Sequence, residues 1–210
     1  MGHQLLIQLG KSRHYSAVHN YTRRKIGPKH DKIKNFRIDF SKLGDELKNI
    51  RGDDLYIALG TTIKKAGSKE KFAEIDRDYV LEIARFGLKN GVNQLLLVTA
   101  VGADPNSLFF YNRVKGQIEE EVCKLNYWAT HLFRPSILLG NRKEERFLEG
   151  VAASVGKGLS KLGDGLLGKY QPVEASVLAS RMIEASCVLK PGVYIYESGE
   201  INRAATKSVM

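Results

Sequence analysis

The sequence predicts an α/β protein built on a doubly wound, mostly parallel sheet with helices on both faces. Three observations predict it. Short apolar runs alternate along the chain with segments whose apolar residues recur every three or four positions. The run at 94–100 is nearly continuous in apolar residues, as a strand covered on both faces of a parallel sheet must be. The 210 residues, 43% hydrophobic and 27% charged, have ordinary globular composition and suffice for one domain with its own core.

Residues 3–11 read as a helix with Leu5, Leu6 and Leu9 on one side. Residues 17–22 make a weak strand, because His19 and Asn20 stand where apolar residues belong, and 35–40 a better one, followed by a short helical stretch over 43–50. Residues 55–59 are an apolar strand ending in Gly60-Thr61-Thr62 and a polar loop. Over 71–90, Phe72, Ile75, Tyr79, Val80, Ile83 and Phe86 step by three and four, predicting an amphipathic helix that Gly91 stops. After the strand at 94–100, the turn Gly102-Ala103-Asp104-Pro105-Asn106 leads to a helix over 108–125, in which Phe110, Val114, Ile118 and Val122 recur every four residues. A strand is predicted over 128–133, a loop from Pro135, helical stretches over 145–162 and 173–189, and a last strand over 192–197. No repeat, low-complexity tract or linker divides the chain, so 1–210 is expected to be one domain. In such sheets, ligands bind beyond the carboxyl ends of the strands.

The longest apolar stretch, around 95–101, falls far short of the ~20 residues a bilayer span needs. Residues 5–9 are too short for a secretory h-region, and Leu6 breaks the pattern for N-terminal acylation at Gly2. Cys123 and Cys187 lack metal-type spacing, and a reduced, cytoplasmic protein is expected. His3, His14, His19 and His30 have neither paired acids nor ligand spacing, so no metal is expected. The net charge is +10, and residues 1–40 carry nine basic residues against two acids. Such a field attracts phosphorylated cofactors, acidic membranes or nucleic acid. Nucleic-acid binding rests on this charge alone and is not favoured.

Tyr111 and Lys115 lie four apart, hence on one helix face. A neighbouring ammonium favours the phenolate and suits the phenol to proton transfer. The spacing alone is weak: with 9 Tyr in the chain it is expected about once by chance, and Tyr21 and Lys25 repeat it. Context separates the two pairs, because Tyr111 follows a strand ending in Val98-Thr99, with a hydroxyl twelve residues upstream.

Thr99 with Tyr111-xxx-Lys115 resembles the active-site triad of the short-chain dehydrogenase/reductase superfamily, with Thr in the usual Ser place. Leu59-Gly60-Thr61-Thr62, Lys65-Ala66-Gly67, Asp76-Arg77-Asp78-Tyr79-Val80, Gly102-Ala103-Asp104, Val114-Lys115-Gly116 and Phe133-Arg134-Pro135 follow in matching order. Together they resemble the atypical members typified by the Tat-interacting-protein oxidoreductases, a group labelled NAD(P)-binding or nucleoside-diphosphate-sugar-epimerase-like. The likeness covers nearly the whole chain. It implies a Rossmann-like domain in which Tyr111 is the acid/base, Lys115 binds the nicotinamide ribose and lowers the Tyr111 pKa, and Thr99 orients the substrate oxygen. It also implies that Gly2, Leu59, Gly60 and Thr61 line the cofactor, that Asp39 and Phe40 lie near adenine, and that Phe133, Pro135 and Ser136 lie near nicotinamide. Arg23 and Arg24 match the place that contacts a 2′-phosphate, where guanidinium forks suit a phosphate, so NADP is favoured over NAD. The part from about 135 to 210 would form the lobe on the substrate side. The substrate would be a small carbonyl, alcohol or nucleotide-sugar-like molecule.

One departure stands out. A dinucleotide-binding fold opens with a strand, a glycine-rich turn and a helix whose amides hold the pyrophosphate. Here Gly2 matches the last glycine of that turn and His3-Gln4-Leu5-Leu6 the helix after it; the first strand and earlier glycines are absent. That strand normally lies between two others, and each buried backbone group left unpaired costs ~1–3 kcal/mol. The flanking strands could pair directly, another segment or subunit could fill the gap, or Met1 could be an internal start in a longer chain. The departure also keeps open a catalytically silent module that senses a dinucleotide or engages a protein partner. The substrate and the oligomeric state are not legible.

Overall fold

The computed structural model describes residues 1–23, 29–48, 50–139 and 168–207, so Arg24, Lys25 and the predicted helix over 145–162 lie outside the described residues. The chain forms α1 (Gly2–Lys11), β1 (Val18–Thr22), β2 (Ile33–Arg37), a 3-10 turn (Phe40–Lys42), α2 (Leu43–Glu46), β3 (Asp54–Ile57), α3 (Ile63–Ala66) and α4 (Lys69–Ala73). A π-helical turn (Glu74–Asp78) joins α4 to α5 (Tyr79–Lys89), followed by β4 (Gln94–Val98), α6 (Phe110–Cys123), β5 (Ala129–Arg134) and β6 (Leu138–Leu139). The described part ends with β7 (Val173–Glu174), α7 (Ala175–Ser186), β8 (Gly192–Glu197) and α8 (Ser198–Lys207).

Local chemistry sets most boundaries. Thr62 caps α3 by accepting from the Lys65 amide, and Gly67, at φ +90°, ends it. Ser68 then caps α4 through the Lys71 amide. Gly91, at φ +84°, follows α5 as expected. The predicted strand at 35–40 stops at Arg37, because the Asp39 carboxylate accepts from the Ser41 amide and turns the chain into the 3-10 turn. The helix α8 was not anticipated. It docks through Ile201, fully buried, and one anchor gives no readable period.

β3, β4, β5 and β8 form a four-stranded parallel sheet in that order, with Leu95 opposite Leu55 and Thr130. Alternation along β4 divides the core. Leu95 and Leu97 pack with Val80, Ala84, Ile118 and Val122 beneath α5 and α6. Leu96 packs on the other face with Leu5, Leu9, Leu178 and Met182, beneath α1 and α7. Each fully buried side chain of this kind stabilises the fold by ~1.5–3 kcal/mol.

The sheet is not continuous. β1 and β2 pair in parallel as a separate two-stranded sheet, as do β6 and β7. Among the described residues β1 and β3 do not pair. A cavity of about 1590 Å³ lies between them, lined by both strands, by α1 and by the loop after β3. Direct pairing of the two flanking strands is therefore not what the fold adopts.

Candidate active site

The loop after β3, the π-helical turn and the first half of α6 converge at the carboxyl ends of the strands. Two helical rows meet there. Along α4 and α5, Phe72, Asp76, Val80 and Ala84 recur every fourth residue and all are buried. Along α6, Tyr111, Lys115 and Glu119 share a row, the last two buried. Charged groups on such rows must be paired to be tolerated.

Both are. The Lys115 Nζ donates to Asp76 Oδ1 at 2.7 Å, with side-chain exposures of 6% and 1%. The other carboxylate oxygen of Asp76 accepts from the Thr61 amide at 2.9 Å. Glu119 is gripped by Arg134, whose Nε reaches both carboxylate oxygens at 3.0 and 3.1 Å and whose Nη2 reaches Oε2 at 2.5 Å. α6 itself is pressed against the loop after β4. An added Cβ at Gly116 would lie 2.1 Å from the Asp104 carbonyl carbon, and Asn112 Nδ2 donates to the Gly102 carbonyl at 2.8 Å.

Tyr111 and Lys115 do share a face: the ammonium lies 6.0 Å from the centre of the phenol ring. The ring packs on Phe72 with centroids 5.4 Å apart, and its hydroxyl makes no hydrogen bond among the described residues. Its pKa is nevertheless raised rather than lowered. Burial is the largest cause; Lys115 opposes it, and Asp76 adds to it. Thr99 faces elsewhere. Its hydroxyl donates to Glu119 Oε1 at 2.5 Å and lies 3.3 Å from the Phe133 carbonyl, under α6 and not bonded to Tyr111. The following residue, Ala100, carries no hydroxyl.

Gly2, Arg23, Asp39, Phe40, Leu59, Gly60 and Thr61 all line the large cavity, although 59 positions separate the first from the last. Asp39 is also held below the usual carboxylate range by hydrogen bonds from the Ser41 amide and hydroxyl. The three residues expected near nicotinamide each have partners within the fold. Phe133 is fully buried and stacked on Tyr196 at 4.7 Å, because its position on β5 faces the core under α1 and α7. The Pro135 carbonyl accepts from the Val101 amide. Ser136 is tied by its amide to Ser198 and by its hydroxyl to the carbonyls of Tyr170 and Gln171. Asp76, Glu119, Arg134 and Gly116 had no assigned role in the sequence. A readable signal existed for Asp76, an acid interrupting an otherwise apolar i, i+4 row. Among the described residues no group of three or more His, Cys, Asp or Glu is arranged to hold a metal.

No model of a known protein family matches the chain. It is 36% identical over 142 residues to Protein HTATIP2 of Rattus norvegicus, covering 66% of this chain and 58% of that protein, so the match spans about three fifths of that relative's length. It is 34% identical over 197 residues to Protein FMP52, mitochondrial, of Lodderomyces elongisporus, covering 88% of this chain and 81% of that protein. MoeE5 in complex with UDP-glucose and NAD superposes with a TM-score of 0.67 at 14% identity, over 98% of this chain and 77% of that one. A short chain dehydrogenase family protein from Francisella tularensis gives 0.63 at 15% identity, over 95% and 93%. These likenesses concern the fold. The names of the fungal relatives overturn the expectation of a cytoplasmic protein, since they are mitochondrial. Two unpaired thiols could not have located it, because they are compatible with any reducing compartment. Sequence likeness along most of the chain, together with a Rossmann-like architecture, places the chain in the FMP52 family.

Proposed function

We propose that the protein is a nicotinamide-dependent oxidoreductase acting on a small carbonyl or alcohol, with Tyr111 as the acid/base and Lys115 beside it. The observation that carries this reading is convergence. Seven residues expected around a dinucleotide line one cavity, and Gly60 and Thr61 on its wall back directly onto the Asp76–Lys115 pair. The cavity exceeds the ~300–1,000 Å³ of most small-molecule pockets and has room for an extended cofactor. The N-terminus of α1 at Gly2 offers amides to a phosphate. Arg23 would hold a 2′-phosphate, which favours NADP. The bound nicotinamide would supply or accept the hydride. The chain's own part is to orient the substrate oxygen against the Tyr111 hydroxyl and to move one proton there. Thr99 would take part only after leaving Glu119, so the pair at 111 and 115 carries the proposal. The segment from about 135 to 210 would close the substrate side, and a nucleotide sugar, such as the UDP-glucose bound by MoeE5, is one substrate class to test.

Titration with NADPH and NADH, followed by calorimetry, tests the cofactor half. Micromolar binding of NADPH, weakened about tenfold in Arg23→Ser without matching loss for NADH, is expected. The chemical half is tested by Tyr111→Phe, which should abolish turnover and leave cofactor affinity nearly intact; unchanged turnover would refute it. A second reading, a catalytically silent dinucleotide-sensing module, is favoured by the engagement of Thr99 with Glu119 and of Lys115 with Asp76. It predicts NADPH binding without hydride transfer to any carbonyl in a substrate panel.

A further inference from the structure

We propose that Asp76 is a positioning residue that sets the proton affinity of Tyr111 by holding Lys115 in a neutral pair and fastening that pair to the backbone at Thr61. The proposal stands on placement. Asp76 is buried on the π-helical turn, a local widening that recurs at functional sites because it re-aims one side chain at a small backbone cost. Its two oxygens have separate partners: Oδ1 takes the Lys115 ammonium at 2.7 Å and Oδ2 the Thr61 amide at 2.9 Å. Gly60 permits the approach, since an added Cβ would come within 3.2 Å of Asp76 Oδ1 and 3.8 Å of Lys115 Nζ. The carboxylate therefore links the cavity wall, which Gly60 and Thr61 line, to the row that carries Tyr111.

The electrostatic consequence follows from which charges face the phenol. From α6 it is Lys115, and from the π-helical turn it is Asp76. α4 contributes the neutral ring of Phe72, and the neighbouring cations Lys69 and Arg113 lie over Phe110, 5.6 and 5.7 Å from its ring centre. Lys71 is engaged by Glu74 at 2.8 Å. An ammonium alone beside a buried phenol lowers its pKa by ~1–3 units, but one paired at 2.7 Å with a carboxylate presents a dipole and does far less. Asp76 thus offsets the lowering that Lys115 would exert and adds to burial in keeping Tyr111 protonated in the free protein, as a proton donor awaiting a carbonyl. That use in turnover rests on the oxidoreductase reading; the effect on the phenol does not.

The test is an ultraviolet titration of tyrosinate in the whole protein, without cofactor or substrate. Subtracting the curve of the matching Tyr111→Phe partner isolates Tyr111. In Asp76→Asn, which loses the charge and keeps one acceptor oxygen for the two donors Thr61 and Lys115, the Tyr111 midpoint should fall by about one pH unit or more. An unmoved midpoint in a folded Asp76→Asn protein would overturn the proposal. Should that variant fail to fold, Asp76→Asn/Lys115→Gln replaces the ion pair by a neutral hydrogen-bonded pair. Its Tyr111 midpoint should match the wild type, and a displacement of a unit or more would equally overturn it. A protein that shows the shift yet binds neither NADPH nor NADH would retire the oxidoreductase reading and leave the role of Asp76 standing.

Discussion

At position 116 a hydrogen atom is all the structure admits, because the backbone of Asp104 and Pro105 passes 2.1–2.5 Å from where a Cβ would be. Gly116→Ala must push that loop off α6, which overpacks the site beside Lys115. A loss of ~1–3 kcal/mol is expected, read as a lower urea midpoint at unchanged slope. His131 gives a prediction with a pH signature. It is buried on β5, its ring stacked on Tyr194 at 5.1 Å and its Nδ1 3.1 Å from the Tyr196 hydroxyl. Burial, with help from the Arg181 charge, pulls its pKa down to about 4. The unfolded chain takes up this proton near pH 6.5, so between 6.5 and 4 the unfolded state binds more protons. Stability should then fall as pH drops through that window, by roughly 2 kcal/mol at pH 5. Urea midpoints at pH 7 and 5 check it: His131→Phe should show a smaller difference than the wild type, and an equal difference would exclude His131 as the cause. The half-buried Asp54 carboxyl, raised by burial and bonded to Tyr15 and Gln94, works in the opposite sense and reduces the net slope. The Tyr111–Lys115 relation was legible because four residues span one helical turn. The Asp76–Lys115 pair joins residues 39 apart, and no spacing rule reports it.

Among the elements, α4 and α5 read in the sequence as one amphipathic helix, and the apolar positions are indeed on one side. What the period misses is the π-helical turn between them, since one extra residue in a turn leaves the stripe nearly intact. The strands tell the same story in reverse. β4 and β8 were readable from composition and length, β8 to the residue, because each has a clear run between turn signals. The smaller sheet should be the weak unit of the fold. β1 and β2 bury Val18 and Ile33 at one end and leave most of their other positions partly or fully exposed. Hydrogen exchange should show their amides opening well below the global unfolding free energy, with β4 and β5 exchanging only on global unfolding. Equal protection in both sheets would show that the two are coupled more tightly than their pairing indicates.

For the molecule as a whole, the decisive feature is the opening between β1 and β3. A ligand lodged there touches both sheets and should stabilise them together. At a hundredfold excess over its Kd, NADPH is expected to add ~2.7 kcal/mol and to slow exchange in β1 and β2 specifically. Stabilisation without slower exchange in β1 would mean that NADPH binds away from this cavity. The same opening gathers the residues expected on the cofactor side, while those expected on the nicotinamide side do not line it. The former sit in loops after strands, which topology sends to one crevice; Phe133 and Ser136 were carried over by resemblance and are engaged in packing and hydrogen bonds.

The sequence by itself determined the layered α/β plan, the two-sided burial of β4, the helix that presents Tyr111 and Lys115 together, and the kinship that those ordered strings express. Period and short spacing are local, and hydrophobic burial makes them binding on the fold. Tertiary structure alone decided that the sheet divides, that Thr99 turns to Glu119 and that Lys115 is neutralised by Asp76. Each of those outcomes depends on which distant groups are left to satisfy a buried charge or a strand edge, and that choice is made only when the elements pack.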